Sequence, residues 1–243
     1  MPLFYSPRLE KDSQNIFIHG DEYKHITKSR RKSVGDKIHL TNGKGILATG
    51  TITLIDENSL KIEILNSEEK TKTKPTIALA FSLLKKNNKL IVEKATELGI
   101  TEFFPFISKR TIKKNYSEKL RLKLERVTIA AMKQSGSAFL PPVNPIINYS
   151  VLLPDLSPIY KPILAWEETK SKFISSALEE TQKNICLIVG PEGGFSDKEI
   201  DYGKKHGADI VSLGNHILRA ETAAIATSTY TIFHQISKNS NYY

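Results

Sequence analysis

The side chains best suited to chemistry lie in the last third of the chain, where Glu192, Arg219 and Glu221 stand beside two glycine-containing turns. A guanidinium can stabilise negative charge developing on a substrate, or clamp a phosphate or carboxylate through its planar fork. A carboxylate whose pKa is raised by burial can accept a proton. Glu221 has a second reading as a first-turn helix acid favoured by the dipole, and Glu192 has one as a tie to loop backbone. Gly190, Gly193, Gly194 and Gly214 leave main-chain N–H and C=O groups uncovered, while Pro191 stiffens the first turn. These groups read as a ligand cradle built largely from main chain, with a cation at its mouth.

Two apolar runs position them. Ile185-Cys186-Leu187-Ile188-Val189 empties into Gly190-Pro191-Glu192-Gly193-Gly194, and Ile210-Val211-Ser212-Leu213 breaks at Gly214 before a helix that begins at Ala220. In open α/β sheets, ligands sit beyond the carboxyl ends of strands. Ser196 with Glu199 forms a capping box for a short helix that Gly207 ends. One such turn is also a plain strand-to-helix connection; two in tandem carry the ligand reading. Neither turn matches G-x-G-x-x-G or a Walker lysine, which disfavours dinucleotide and nucleotide binding. Upstream, strands are predicted over 76–81, 100–107 and 163–166, with helices over 88–98 (stopped by Gly99), 117–133 and 172–180. In the second helix Leu120, Leu124, Val127 and Ala131 mark the buried face. This alternation gives a largely parallel sheet flanked by helices, which packing rules alone make unknotted and doubly wound.

Residues 1–65 read differently, as short strands over 16–18, 37–40, 46–49, 51–55 and 60–65, with a helix within 23–33 and a hairpin at Asn42-Gly43. Such spacing suggests a small barrel. Residues 66–74 hold no apolar side chain and Pro75 closes them, so they read as a linker between domains at 1–70 and 75–243. The chain of 243 residues carries a formal charge of +9, distributed as +3 over 1–75, +8 over 76–150 and −2 over 151–243. A polyanion held across the basic part, with chemistry at a less charged pocket, fits this distribution, as does a merely solvated lysine-rich surface. Lys28, Arg30, Arg31 and Lys32 cluster near His25, and Lys109, Arg110, Lys113 and Lys114 form a second group. The single cysteine, Cys186, excludes an internal disulfide and a zinc cluster, and the histidines have no metal-ligand spacing, so no metal is expected. No apolar run approaches the ~20 residues that span a bilayer and the amino terminus has no signal-peptide core, so a cytoplasmic protein with no membrane partner is expected.

The stretches Gly190-Pro191-Glu192-Gly193-Gly194 and Leu213-Gly214-Asn215-His216-Ile217-Leu218-Arg219-Ala220-Glu221-Thr222-Ala223 resemble the signature of the ribosomal RNA small subunit methyltransferase E family. The resemblance implies an α/β fold: a SPOUT-type parallel sheet with a carboxyl-terminal trefoil knot, preceded by a small PUA-like β-barrel that binds RNA. It implies transfer of a methyl group from S-adenosylmethionine to N3 of a uridine in 16S ribosomal RNA, within the small ribosomal subunit, by a homodimer. On that reading Leu213, Gly214, Ile217 and Leu218 surround the adenine and Gly190, Glu192 and Gly193 lie near the sugar and methionine portion. Thr222 caps the following helix or touches a ligand. Arg219 and Glu221 are the catalytic residues, and Lys28, Arg30, Arg31, Lys109 and Arg110 face the RNA. Lys133 stands where the family carries an acid, Ser137 near an expected arginine, and His216 where arginine is commoner. A SPOUT enzyme acting on a ribose 2′-hydroxyl and a catalytically silent RNA-binding factor are the alternatives. The 217–222 run and the leading barrel favour the uridine-N3 branch over the first.

Overall fold

The structure, a computed structural model, describes residues 3–112, 114, 117–169, 172–181 and 183–240; Lys113, named above among the cations, lies outside them. The chain divides into two compact units, one of Met1–Lys72 with Ile129–Leu140, the other of Thr73–Thr128 with Pro141–Tyr243.

In the first unit β1 (Leu3–Tyr5), β2 (Asn15–His19), β3 (Lys37–Thr41), β4 (Ile46–Ile55) and β5 (Ser59–Glu69) form one sheet in the order β1-β3-β4-β5-β2. Alternation sends Ile38, Leu40, Ile52, Leu60 and Ile62 inward, where they meet Phe4 and Leu9 in a single core. The hairpin at Asn42-Gly43 is present, because the Asn42 Oδ1 accepts from the N–H of Lys44 at 2.7 Å and of Ile46 at 3.0 Å, and Gly43 takes φ +69°. The two strands expected over 46–55 are one strand, continuous through a register shift at Gly50. Residues 66–69 are not linker: they extend β5 and pair with Ile46–Thr49, which satisfies their main chain despite their polar side chains. The helix sought within 23–33 starts earlier, as α1 (Gly20–Lys24), passes into a π-helical turn at His25–Ser29, and stops before Arg30.

The second unit runs β6 (Ile77–Ser82), α2 (Asn88–Leu98), β7 (Glu102–Ile107), α3 (Glu118–Ser135), β8 (Ile147–Asn148), α4 (Tyr149–Leu156), β9 (Lys161–Ala165), α5 (Ile174–Glu179), β10 (Ile185–Val189), α6 (Asp197–Lys205), β11 (Asp209–Val211) and α7 (Ala220–Ser240). The last turns of α3 group with the first unit. Its six strands pair in parallel in the order β11-β9-β10-β6-β7-β8. Both faces are covered, so β6 and β10 are buried at every position. Leu79, Phe81, Leu187 and Val189 pack on one side with residues of α2, α5 and α7. Ala78, Ala80, Cys186 and Ile188 pack on the other with residues of α4 and α6. Gly99 stops α2 in the left-handed conformation, and the Ser196–Glu199 capping box opens α6.

Gly50 is the tightest point of the first unit: a Cβ there would lie 2.5 Å from Ile62 Cγ2 and 2.6 Å from the carbonyl oxygen of Glu63. Main chain cannot give way as a flexible side chain can. Gly50→Ala should therefore cost about 1–3 kcal/mol, read as a lower denaturant midpoint in urea unfolding.

Candidate active site

In the sheet β9 lies between β10 and β11, and Ala165 pairs with Val189 on one side and Val211 on the other. Both glycine turns therefore leave the sheet at the same rung. Together with residues 85–87, which follow β6, they enclose a cavity of about 480 Å³, well within the range of small-molecule sites. Of the residues expected at the ligand, Gly190, Glu192, Leu213, Gly214, Ile217, Leu218, Arg219 and Glu221 line it. Gly193 and Thr222 are not among the lining residues. Thr222 is exposed in the first turn of α7, and it is the Arg219 carbonyl that accepts the first helical bond, from Ala223 N–H at 2.8 Å. Thr222 thus does not cap the helix.

The first turn is shaped by its neighbours. Gly194 has φ +67°, and a Cβ on it would sit 2.2 Å from Glu167 Oε1. Arg110 donates from Nη1 to the carbonyl oxygens of Gly193 at 2.9 Å and Phe195 at 3.2 Å. The turn that carries Arg110 is itself pinned by three buried hydroxyls: Ser82 Oγ lies 2.8 Å from Thr111 Oγ1 and 3.2 Å from Ser108 Oγ, and the latter two are 3.0 Å apart. Its main chain is tied as well, since Lys109 N–H donates to Glu199 Oε1 at 2.7 Å. Arg110 is therefore occupied by the glycine turn, whereas the Lys109 side chain is exposed.

Residues 85–87 link both acids of the site. Lys85 N–H donates to Glu192 Oε1 at 2.8 Å, and Asn87 Nδ2 donates to Glu221 Oε1 at 3.0 Å. Asn87 holds φ +69°, a left-handed conformation that asparagine tolerates better than most residues. Lys85, Lys86, Asn87, Trp166 and Glu167 line the cavity but do not emerge from reading the glycine turns. The available signal was positional, since residues 85–87 follow the carboxyl end of β6, the neighbour of β10. Arg219 is exposed and has no side-chain hydrogen bond or ion pair among the described residues. Its guanidinium is free to meet a second substrate at the mouth.

The walls match an adenosyl sulfonium ligand. Val189, Pro191, Phe195, Leu213 and Leu218 give an apolar surface for an uncharged base. Bare main chain at Gly190 and Gly214 supplies hydrogen-bonding groups, and the Glu167 and Glu192 carboxylates complement positive charge near the first turn. Among the described residues no group of three His, Cys, Asp or Glu could hold a metal ion, and no helix is long and apolar enough to cross a membrane.

In the first unit Lys28, Arg30 and Arg31 are exposed at and just after the π-helical turn, and Arg31 takes φ +52°. Lys32 reaches Asp36 at 3.8 Å. Lys133 is committed to Glu22 at 2.8 Å, an ion pair whose two side chains are only 15% and 18% exposed. Burial, reinforced by the Lys133 and Arg30 charges and opposed by Glu22, holds the neighbouring His25 below the usual imidazole range. The His25 ring packs edge-on against Phe4, a residue of this core.

Comparison with known proteins agrees with this geometry. Residues 71–232 match the model of an RNA methyltransferase domain, and residues 18–65 that of an RNA methyltransferase PUA domain. The ribosomal RNA small subunit methyltransferase E of Mesomycoplasma hyopneumoniae is 34% identical over 72% of this chain and 78% of its own length. That of Rickettsia conorii is 31% identical over 92% of this chain and 91% of its own. The crystal structure of the Neisseria gonorrhoeae protein of the same name, bound to S-adenosyl methionine, is similar with a TM-score of 0.86 at 28% identity, covering 96% of this chain and 98% of that one. A fold of parallel-sheet α/β type following a PUA-like domain, two glycine turns meeting at one cavity, and relatives that align over 72% to 96% of the chain lead to one assignment: the chain belongs to the ribosomal RNA small subunit methyltransferase E family.

Proposed function

We propose that the protein methylates N3 of a uridine in 16S ribosomal RNA, within the small ribosomal subunit, as a cytoplasmic homodimer. The observation that carries the reading is that both glycine turns and Arg219 line a single cavity at three adjacent strand tips. S-adenosylmethionine supplies the electrophilic methyl group. In this reading the main chain of Leu213, Gly214, Ile217 and Leu218 holds the adenine, and Gly190 and Glu192 face the sugar and methionine portion. Gly193 acts by shaping the turn that Arg110 grips. Arg219 stabilises the negative charge that spreads onto the uracil oxygens as N3 gives up its proton. Glu221, oriented by Asn87, receives that proton. Lys28, Arg30, Arg31 and Lys109 face RNA as exposed cations, and Arg110 serves the site through the turn instead of through phosphate. Tyr230, Phe233 and Ile236 are 44%, 57% and 53% exposed on α7 and offer an apolar face for a second copy. Ala223 and Ala224, also on α7, are spent on internal packing. The trefoil knot of the SPOUT fold belongs to the same proposal.

Arg219→Ala is expected to lower methyl transfer about 10²–10³-fold, the loss typical when one charge-stabilising donor is removed. Affinity for S-adenosylhomocysteine should stay within about twofold, because the guanidinium faces the second substrate. Mass spectrometry of nucleosides from treated small subunits reads both the rate and the methylated atom; unchanged transfer, or a product other than N3-methyluridine, contradicts the reading. Arg110→Met should instead weaken S-adenosylhomocysteine binding about 3–10-fold by calorimetry, since two carbonyls of the turn lose their donor. A variant that binds ligand normally but RNA poorly would return Arg110 to an RNA-facing role.

A further inference from the structure

Immediately after the first glycine turn, Ser196, Lys198 and Glu199 line a second concavity of about 430 Å³ in the same unit. Lys109, Lys114, Asn148 and Ser150 complete its rim, and Tyr149 and Tyr202 lie within it. Three lysines therefore surround a space containing one acid, and that acid is already engaged. Glu199 Oε1 accepts from Lys109 N–H at 2.7 Å, and Oε2 accepts from Ser196 N–H at 2.9 Å and Ser196 Oγ at 2.7 Å. Both tyrosine hydroxyls are likewise turned to protein, Tyr149 donating to the Glu199 carbonyl at 3.1 Å and Tyr202 to the Ser150 carbonyl at 2.7 Å. The groups left facing solvent are the ammonium ends of Lys109, Lys114 and Lys198 and the side chains of Asn148 and Ser150, all of exposed residues.

We propose that this groove holds the sugar-phosphate backbone on one side of the nucleotide being methylated. The three lysines would neutralise phosphates, with Asn148 and Ser150 hydrogen-bonding phosphate oxygens or a 2′-hydroxyl. The inference rests on the methyltransferase reading, to which it adds a place for RNA on the second unit. Two features support it. The groove and the cofactor cavity are built on consecutive residues of one loop, Phe195 lining one and Ser196 the other. The lysine-bearing turn is fixed to that loop through Arg110 and to the first turn of α6 through Lys109 N–H, so the positive rim is held in register with the reacting site. A backbone threaded there carries one negative charge per nucleotide, and a cationic groove beside a less charged pocket is the arrangement that tracks it.

The test uses the full chain and 16S ribosomal RNA, with binding measured over a series of KCl concentrations. In Lys109→Gln/Lys114→Gln/Lys198→Gln the slope of log affinity against log salt should fall in magnitude by about 2, the share of three contacts to single-stranded RNA. S-adenosylhomocysteine affinity and the thermal midpoint should match wild type. Lys204→Gln/Lys205→Gln, which removes two positive charges at the opposite end of α6, is the control for charge lost outside the groove and should leave the slope within error. An unchanged slope in the triple variant, or an equal fall in the control, overturns the groove while leaving the methyltransferase reading intact. Competition by an acidic peptide as strong as by RNA, at equal charge, would reassign it to a protein partner. A wild-type protein that binds S-adenosylhomocysteine but neither 16S ribosomal RNA nor the small ribosomal subunit would remove both the groove and the proposed substrate.

Discussion

The site depends on the register of three parallel strands. Val189, Ala165 and Val211 stand on one rung of the sheet, so the chain leaves β10 and β11 at the same height on either side of β9. Neighbouring strands are about 4.8 Å apart, which separates the two departures by roughly 10 Å. That distance suits one elongated small molecule with a turn at each end. A slip of one residue in either ladder would also turn every side chain of the strand to the opposite layer. Because Leu187 and Val189 pack among α2 and α7 residues while Cys186 and Ile188 pack among those of α4 and α6, the burial that stabilises the sheet also fixes the height of the turns.

Around this rung the protein spends polar groups on holding loops. Ser82, Ser108 and Thr111 bury hydroxyls that satisfy one another, avoiding the cost of unpaired buried donors and acceptors. They hold the turn from which Arg110 reaches the carbonyls of Gly193 and Phe195. On the other edge, residues 85–87 engage Glu192 and Glu221 together. The two acids with the right chemistry for proton transfer therefore differ in availability. Glu192 is exposed and tied to main chain, whereas Glu221 is half-buried and tied by a neutral amide that orients it without neutralising its charge.

Sequence made legible what is decided locally. The stop at Gly99, the capping box at Ser196 and Glu199, the hairpin at Asn42-Gly43 and the two glycine turns all depend on residues within a few positions of one another. The contacts of residues 85–87 and of Arg110 do not: Lys85 meets Glu192 across 107 positions, Asn87 meets Glu221 across 134, and Arg110 meets Gly193 across 83. A cation beside a strand end reads as RNA-facing until the fold brings carbonyl oxygens to it. The same holds for residues 66–69, whose polar composition suggested a linker and whose pairing with β4 comes from the main chain. Helix α4 was hidden by Pro154, a residue that usually marks a break. Nothing in residues 129–140 marks them as grouping with the amino-terminal unit.

The most direct examination of the shared cradle is hydrogen exchange of the full chain, titrated with S-adenosylhomocysteine. One ligand spanning both turns predicts that amides in 190–195 and 213–219 gain protection together, at the same ligand concentration, with residues 85–87 following. Protection confined to one turn, or two turns responding with different midpoints, would contradict a single site built on one rung of the sheet.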